Sequence, residues 1–270
     1  MRSSIVFLML IILTGVAAES ATRCEMALSL DANSAPNVLG LLHQQHRGSN
    51  NIFINQNDRR AQPSKGGSCG PTSVVNLLQG LRVAAGLPLL EKPYDVIFEL
   101  FVNDRELLAG NTSPQLMHES LRYVTQKYLP GRKVNISTQV LEGFNYSLQG
   151  EVQWAPALRE SDITPHQGTF KIIGFSIVFP NGETAGHYSV VKDLVKGKLS
   201  VIDPNFPEKI GEFIVNNTTI EWTTSQTASQ SIELQLQPGT EIQDSFQPGT
   251  RFIVHTVLTI ELAKAPKGAW

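Results

Sequence analysis

The order of helical and strand signals along the 270-residue chain predicts an α+β fold. In the first half, apolar residues recur at the spacing of amphipathic helices, in the segments 36–46, 71–86, 93–108 and 114–128. In the second half, runs rich in Val, Ile and Phe lie between turn residues and predict strands, at 170–179, 187–194, 199–202, 231–236 and 251–262. Helices followed by antiparallel strands form the α+β pattern.

Composition and charge limit the classes of protein that the chain can represent. About 41% of the residues are hydrophobic and 17% are charged, which supplies a core for one large domain or two small ones. The 22 Lys and Arg residues nearly balance the 24 Asp and Glu residues, so the net charge is −2. Binding to nucleic acid or to an anionic membrane needs clustered basic charge, so we expect neither as a partner.

The first eighteen residues have the pattern of a secretory signal peptide. Arg2 supplies the positive charge, Ile5 to Val16 is an apolar run, and Val16-Ala17-Ala18 provides small residues for cleavage. An N-terminal membrane anchor is the alternative, but the run is shorter than the ~20 residues of a spanning helix. No later run reaches that length. The sequence therefore predicts a secreted or periplasmic protein with no integral membrane segment after removal of residues 1–18.

Cys69 is the candidate nucleophile because of its position at the predicted start of a helix. A turn-rich stretch, residues 55–67, precedes it, and Pro71 suits a first helical turn. The unpaired N–H groups and the positive end of the helix dipole favour a thiolate there. Gly70 and Pro71 are expected to keep side chains from crowding the sulfur. A disulfide with Cys24, the one other cysteine, is the alternative in an oxidising compartment.

Among the six histidines, His187 is the candidate base, because it follows Gly186 at the start of a predicted strand. His43 and His46 are three residues apart and could suggest a metal pair. Zinc needs three or four ligands and no third is evident nearby, so both are expected on a helix surface. His255 interrupts an apolar strand and is expected to be a buried, hydrogen-bonded core residue. The sequence predicts neither a metal nor another cofactor.

Asp203 is the candidate that orients His187. Residues 196–198 predict a hairpin, and a turn centred on Lys196 places Asp203 opposite Ser189, diagonal to His187 and on the same face. A carboxylate there can accept the imidazole N–H, as the third member of a catalytic triad does. A register shift of one residue would turn Asp203 away, and Asn205 is the substitute if the strand ends sooner. An ordinary strand-ending turn is the alternative interpretation.

The remaining component is a hydrogen-bond donor for an oxyanion. The backbone N–H of Cys69 can supply one bond, and an upstream glutamine side chain commonly supplies a second. Both Gln56 and Gln62 are candidates. A solvated loop amide is the alternative for each of them.

Four segments together resemble the papain-like cysteine peptidase clan, and most closely its bacteriocin-processing (double-glycine leader) peptidase-like branch. The matching segments are Asn55-Gln56-Asn57, Cys69-Gly70-Pro71-Thr72-Ser73, Gly186-His187-Tyr188-Ser189-Val190-Val191 and Val201-Ile202-Asp203-Pro204-Asn205. The resemblance covers roughly residues 52 to 206. It implies Cys69 as nucleophile, His187 as base, Asp203 as orienter and Gln56 as oxyanion donor. It also implies a papain-like fold, with a helical lobe packed against an antiparallel β-sheet and the site between them.

The expected organisation is a signal peptide (1–18), an N-terminal segment (19–50), a papain-like cysteine peptidase-like domain (51–206) and a β-rich C-terminal extension (207–270) packed on the same domain. The expected function is hydrolysis of a peptide or amide bond in a peptide or protein substrate, through a thioester on the cysteine. A transglutaminase-like acyltransferase of the same clan is one alternative, since a shared fold does not fix the reaction. An inactive binding or structural protein is the other.

Overall fold

The computed structural model describes residues 35–48, 52–61, 68–103, 112–144, 146–221 and 228–263. Five α-helices occur in this part of the chain: α1 (Ala35–Gly48), α2 (Cys69–Ala84), α3 (Pro93–Asn103), α4 (Pro114–Tyr128) and the single turn α5 (Glu160–Ile163). The helices predicted at 36–46, 71–86 and 114–128 are confirmed. The helix predicted from Pro93 is described to Asn103, and residues 104–111 lie outside the described part.

Eight strands form one sheet: β1 (Val134–Leu141), β2 (Val152–Ala155), β3 (Thr169–Val178), β4 (Thr184–Val195), β5 (Lys198–Ile202), β6 (Ile210–Glu221), β7 (Ala228–Leu236) and β8 (Arg251–Leu262). Their order is β2-β1-β8-β3-β4-β5-β6-β7, and a further pairing joins β7 to β8. Strands β8, β3, β4, β5, β6 and β7 therefore close into a six-stranded antiparallel barrel. Strands β1 and β2 extend the sheet beyond β8.

Strand β8 pairs with β3 on one side, and on its other side its partner changes halfway along its length. Its first part pairs with β7, where Val254 lies opposite Ile232, and its second part pairs with β1, where Thr256 lies opposite Val140. The register against β3 shifts at the same place, and His255 is the extra residue of this β-bulge. A bulge bends a strand and increases its twist. The bend at His255 thus lets one strand both close the barrel and carry the two additional strands.

The expected fold class, a papain-like helical lobe packed against an antiparallel sheet, is wrong. The described sheet closes into a barrel and is not an open sheet. A single set of helices packs on the outside of the barrel. Closure depends on β6 and β7 and on the pairing of β7 with β8. No strand was predicted at β6, which begins at Ile210, because its second half is polar. Residues 207–263 supply three of the six barrel strands, and β5 pairs directly with β6 across residue 206.

Two apolar clusters occupy the two faces of the sheet. The first lies between the helices and the outer face of the barrel, and it includes Leu77 and Leu81 of α2 together with Tyr188 and Val190 of β4. The second fills the barrel interior and includes Val191 of the same strand. Burial of this apolar surface is the main force that holds the helices on the barrel. Alternate residues of β4 therefore face the helices and the barrel interior.

Within the described ranges, no helix combines the length and the apolar character that crossing a membrane requires. The predicted signal peptide, Cys24 and Gln62 lie outside the described residues.

Candidate active site

Cys69 is the first residue of α2, as the sequence predicts. The preceding residue, Ser68, makes no side-chain cap bond to the helix; its hydroxyl donates instead to the carbonyl of Gln56 at 3.1 Å. Further along α2, the Ser73 hydroxyl donates to the carbonyl of Tyr188 at 2.9 Å. This buried bond fixes the start of the helix against β4 beside His187. Cys69 is half-buried and carries a free thiol.

Gly70 allows close packing at the start of α2. A side chain at position 70 would place its Cβ 3.0 Å from Cβ of Thr112 and 2.9 Å from Sδ of Met117. Cβ atoms essentially never approach other heavy atoms so closely, and a well-packed core resists such overpacking. Glycine thus lets the segment before α4 lie directly on the start of α2. The expectation that Gly70 keeps side chains from crowding the sulfur stays a prediction.

His187 and Asp203 form a buried pair. Nε2 of His187 lies 2.8 Å from Oδ2 of Asp203, and the two residues are 5% and 2% exposed. The carboxylate accepts two further bonds, from the Ser189 hydroxyl to Oδ2 at 2.9 Å and from the Asn205 backbone N–H to Oδ1 at 2.8 Å. Three donors therefore fix the position of the carboxylate, which in turn fixes the plane of the imidazole. Asn205 contributes its backbone here and does not replace Asp203.

The side chain of Cys69 lies close enough to the same imidazole to help raise its pKa. Since Nε2 is directed to Asp203, Nδ1 is the nitrogen that remains for the sulfur. The ring of His187 thus interacts with both the thiol of Cys69 and the carboxylate of Asp203. The ring packs edge-on against Phe175 of β3, with centroids 5.4 Å apart and planes at 66°. Phe175 belongs to the barrel interior, so the site lies where that interior meets the start of α2.

The electrostatics of the pair favour an imidazolium. Burial alone would lower the pKa of His187, but the Asp203 carboxylate and the contact with Cys69 outweigh burial and raise it to about 10. Burial alone would raise the pKa of Asp203, yet the charge and hydrogen bond of His187, with those from Asn205 and Ser189, lower it. At neutral pH the ring is therefore protonated and the carboxylate ionised. Hydrogen bonds to a charged form and an adjacent opposite charge act in this direction.

The register that joins these residues depends on a β-bulge at Lys192. The turn consists of Lys196 and Gly197, both with positive φ, and Val195 pairs with Lys198. A regular ladder from that turn would place Asp203 opposite Val190, on the helix-facing side. The pairing shifts by one residue between Val191 and Asp193, so Val190 pairs with Ile202 and Ser189 follows opposite Asp203. The predicted face of Asp203 is confirmed, although the turn is not centred on Lys196.

Gln56 lies between the nucleophile and the loop after β5. Its backbone N–H donates to the carbonyl of Pro204 at 2.8 Å, and its carbonyl accepts from Ser68. Its side-chain Oε1 is buried without a hydrogen-bond partner among the described residues. Asn57 adds a side-chain bond to Asn205 at 3.3 Å, which further ties the two loops. The segment preceding the site is thus fastened to the residues that follow Asp203.

The other histidines differ from the sequence expectations in part. His43 is 3% exposed and its Nε2 has no partner among the described residues, so its expected position on a helix surface is wrong. Nδ1 of His46 accepts from the backbone N–H of Ile52 at 3.1 Å. His255 is buried and bonded to Thr256 at 2.8 Å, which confirms the expectation of a hydrogen-bonded core histidine. No group of three potential metal-ligating side chains occurs among the described residues.

The roles of two residues of the site were not predicted from the sequence. Ser189 anchors Asp203, and its spacing of two from His187 on one strand is the signal that could have identified it. Tyr188 faces the other way, and its hydroxyl donates to the carbonyl of Thr112 at 3.4 Å. Burial, followed by the nearby Tyr146 and Cys69, raises the pKa of Tyr188 well above its usual value. Its phenol is therefore neutral.

The arrangement has the components of a thiol-based acyl-transfer site: a half-buried sulfur at a helix start, a protonated imidazole beside it and an orienting carboxylate. Comparison with models of known protein families and with curated proteins found no match for the chain.

Proposed function

We propose that the protein is a cysteine-dependent hydrolase that cleaves a peptide or amide bond. The observation that carries the proposal is the imidazole of His187, which lies 2.8 Å from the Asp203 carboxylate and close enough to the Cys69 side chain to interact with it. A nucleophile next to a base that a third group orients is the arrangement on which covalent acyl transfer depends. The motif resemblance to double-glycine leader peptidases, which rests on Cys69, His187, Asp203 and Gln56, supports the same activity.

In the first half-reaction, the Cys69 thiolate attacks the carbonyl carbon of the substrate and forms a C–S bond. The carbonyl oxygen becomes an oxyanion, and the backbone N–H of Cys69 and the Gln56 side chain are the proposed donors to it. The C–N bond then breaks, and the His187 imidazolium gives its proton to the leaving nitrogen, which departs as an amine. An acyl thioester remains on Cys69.

In the second half-reaction, water replaces the amine. His187, now neutral, takes a proton from the water as its oxygen attacks the thioester carbonyl. The C–S bond breaks, the acid is released, and the thiolate–imidazolium state is restored. Asp203 holds the ring in one orientation throughout and stays ionised. Transfer of the acyl group to an amine in place of water is the transglutaminase-like alternative and uses the same thioester.

Export belongs to the proposal as well. The predicted signal peptide, residues 1–18, would deliver the enzyme to the periplasm or the medium, where its substrate would be an extracytoplasmic peptide or protein. Thiol catalysis in an oxidising compartment requires that Cys69 escape a disulfide. The free thiol of Cys69 is compatible with that requirement.

The test is incubation of the wild type and of Cys69→Ala with a mixture of peptides, followed by mass spectrometry of the products. Hydrolysis predicts new amino and carboxyl termini that require Cys69. Addition of a primary amine tests for acyltransferase activity. If the acyl group is transferred to the amine in place of water, the mass of the acyl product increases by that of the bound amine. Products that form equally with Cys69→Ala, or no products from either protein, would contradict the proposal and favour a binding protein.

A further inference from the structure

Two aromatic side chains on the loop between β1 and β2 form a surface against His255 of β8. Phe144 and Tyr146 stack on one another with centroids 6.1 Å apart and planes at 11°. Both rings rest on His255, at 4.7 Å from Phe144 and 6.2 Å from Tyr146. Both are half-buried. The backbone N–H of Tyr146 donates to the carbonyl of Phe144 at 3.1 Å, which holds the two residues together.

A continuous set of contacts connects this surface to Cys69. His255 is bonded to Thr256, and Thr256 lies beside Gly174. A Cβ on Gly174 would stand 3.1 Å from Cβ of Thr256 and 2.6 Å from Cε1 of Tyr188, so the glycine makes room for the Tyr188 ring.

The hydroxyl of Tyr188 donates to Thr112, the residue that packs on Gly70 next to the nucleophile. Tyr188 is also within electrostatic range of both Tyr146 and Cys69. The surface and the sulfur therefore both lie near the side chain of Tyr188.

The charge state and shape of this surface indicate which kind of ligand it can bind. Burial lowers the pKa of His255 to about 4, and burial raises the pKa of Tyr146, so both groups are neutral at physiological pH. Uncharged rings carry no positive charge that would attract a carboxylate. They do offer flat faces for offset stacking and edge-on contact, which add about 0.5–1.5 kcal/mol to the burial of an aromatic side chain. A flat apolar side chain is the occupant that such a surface fits.

We propose that Phe144, Tyr146 and His255 form a subsite that receives an aromatic side chain of the substrate close to the bond that is cleaved. This inference rests on the proposed cysteine-hydrolase function and gives it a substrate class, namely peptides with Phe, Tyr or Trp near the scissile bond. Tyr146 is the specificity-determining residue, because its ring lies 6.2 Å from His255, further out than the ring of Phe144 at 4.7 Å. His255 supports the stack from below.

The test uses peptidyl fluoromethyl ketones that alkylate the nucleophile. Reagents with Phe or Ala at each of the two residues nearest the electrophile are compared on the wild type, Tyr146→Ala and Tyr123→Ala. The control tyrosine is half-buried on α4, where its hydroxyl donates to Glu99. We expect the wild type to react about fivefold to tenfold faster with a Phe reagent, a preference that disappears in Tyr146→Ala and persists in Tyr123→Ala.

Equal rates with Phe and Ala reagents in the wild type, or a Phe preference that survives in Tyr146→Ala, would overturn the subsite. Tyr146→Leu, which keeps apolar volume without a flat ring, gives the same comparison if the alanine variant is unstable. Iodoacetamide separates the two proposals. If it alkylates Cys69 equally fast in the wild type and in His187→Ala, the hydrolase itself fails. If only the Phe preference is missing, the subsite alone fails.

Discussion

Nε2 of His187 lies 2.8 Å from Oδ2 of Asp203, and both residues are almost fully buried. Two charges removed from water cost several kcal/mol each unless hydrogen bonds compensate them. Compensation is present here, because Ser189 and the Asn205 backbone also donate to the carboxylate. The imidazole also lies close enough to Cys69 for that side chain to help raise its pKa. Buried, strongly perturbed charge pairs of this kind are concentrated at functional sites.

The first prediction concerns the charge on His187. Asp203→Asn removes the carboxylate but leaves the burial, so the pKa of His187 should fall from about 10 to below its ordinary value of 6.5. NMR titration of the imidazole measures the change. Asp193→Asn is the matched control, since Asp193 lies on the same strand as His187 but forms an ion pair with Lys192. A His187 pKa that stays near 10 in Asp203→Asn would mean that another group holds the charge.

The second prediction is a dependence of stability on pH. Unfolded His187 titrates near 6.5 and folded His187 near 10, so between these values the folded protein keeps a proton that the unfolded chain has released. The free energy of unfolding should therefore decrease as pH rises through this window, by up to about 1.4 kcal/mol per pH unit. The stabilisation is complete below pH 6.5 and lost as pH passes 10.

Urea unfolding at several pH values measures this slope. It should be reduced in His187→Gln and unchanged in His166→Gln, where the histidine is exposed. Equal slopes in the wild type and His187→Gln would contradict the raised pKa.

The third prediction assigns Ser189 a positioning role. Ser189→Ala removes one of the three donors to Asp203, so the pKa of His187 should fall measurably and hydrolysis should slow several-fold. Ser73→Ala is the matched control, because it removes another buried serine bond, to the carbonyl of Tyr188. Both variants should lose about 1 kcal/mol of stability. If both also change the His187 titration equally, Ser189 has only a structural role.

The fourth prediction tests the contact at Gly70. Gly70→Ala should destabilise the fold by about 1–3 kcal/mol, because the new methyl group meets Thr112 and Met117. This loss exceeds the gain of up to about 1 kcal/mol that alanine brings over glycine in a helix. Gly186→Ala, next to His187, has nothing within 4 Å of its Cβ and should leave stability unchanged. Thermal unfolding of both variants checks the difference, and a stabilised Gly70→Ala would refute the packing argument.

The sequence predicted the local features of the site better than the fold. Pro71 and Gly86 mark both ends of α2, so Cys69 at the helix start could be recognised from its neighbours. The face of Asp203 was correct for an incomplete reason. The assumed turn centre is displaced by half a residue, and the bulge at Lys192 restores the register. Nothing about an isolated lysine in a strand signals a bulge.

Barrel closure could not be predicted, because it depends on long-range pairing. Strand β6 carries Asn216, Asn217, Thr218 and Thr219 in its exposed half, so it lacks the apolar alternation by which strands are recognised. The pairing of β7 with β8 joins residues that no local signal connects. The position of Gln56 likewise depends on backbone bonds to Pro204 and Ser68, which are distant in sequence. Local sequence signals therefore identified the site residues, whereas the long-range pairing that closes the barrel and positions Gln56 could not be predicted from them.

The most direct measurement is the rate at which iodoacetamide alkylates Cys69 at about pH 6, where an ordinary cysteine is almost wholly protonated. The site predicts that the wild type reacts at least about tenfold faster than His187→Ala, and that Cys69→Ala is not labelled at the same peptide. Equal rates in the wild type and His187→Ala would show that the imidazole does not activate the sulfur, and the proposed catalytic role of Cys69, His187 and Asp203 would have to be abandoned.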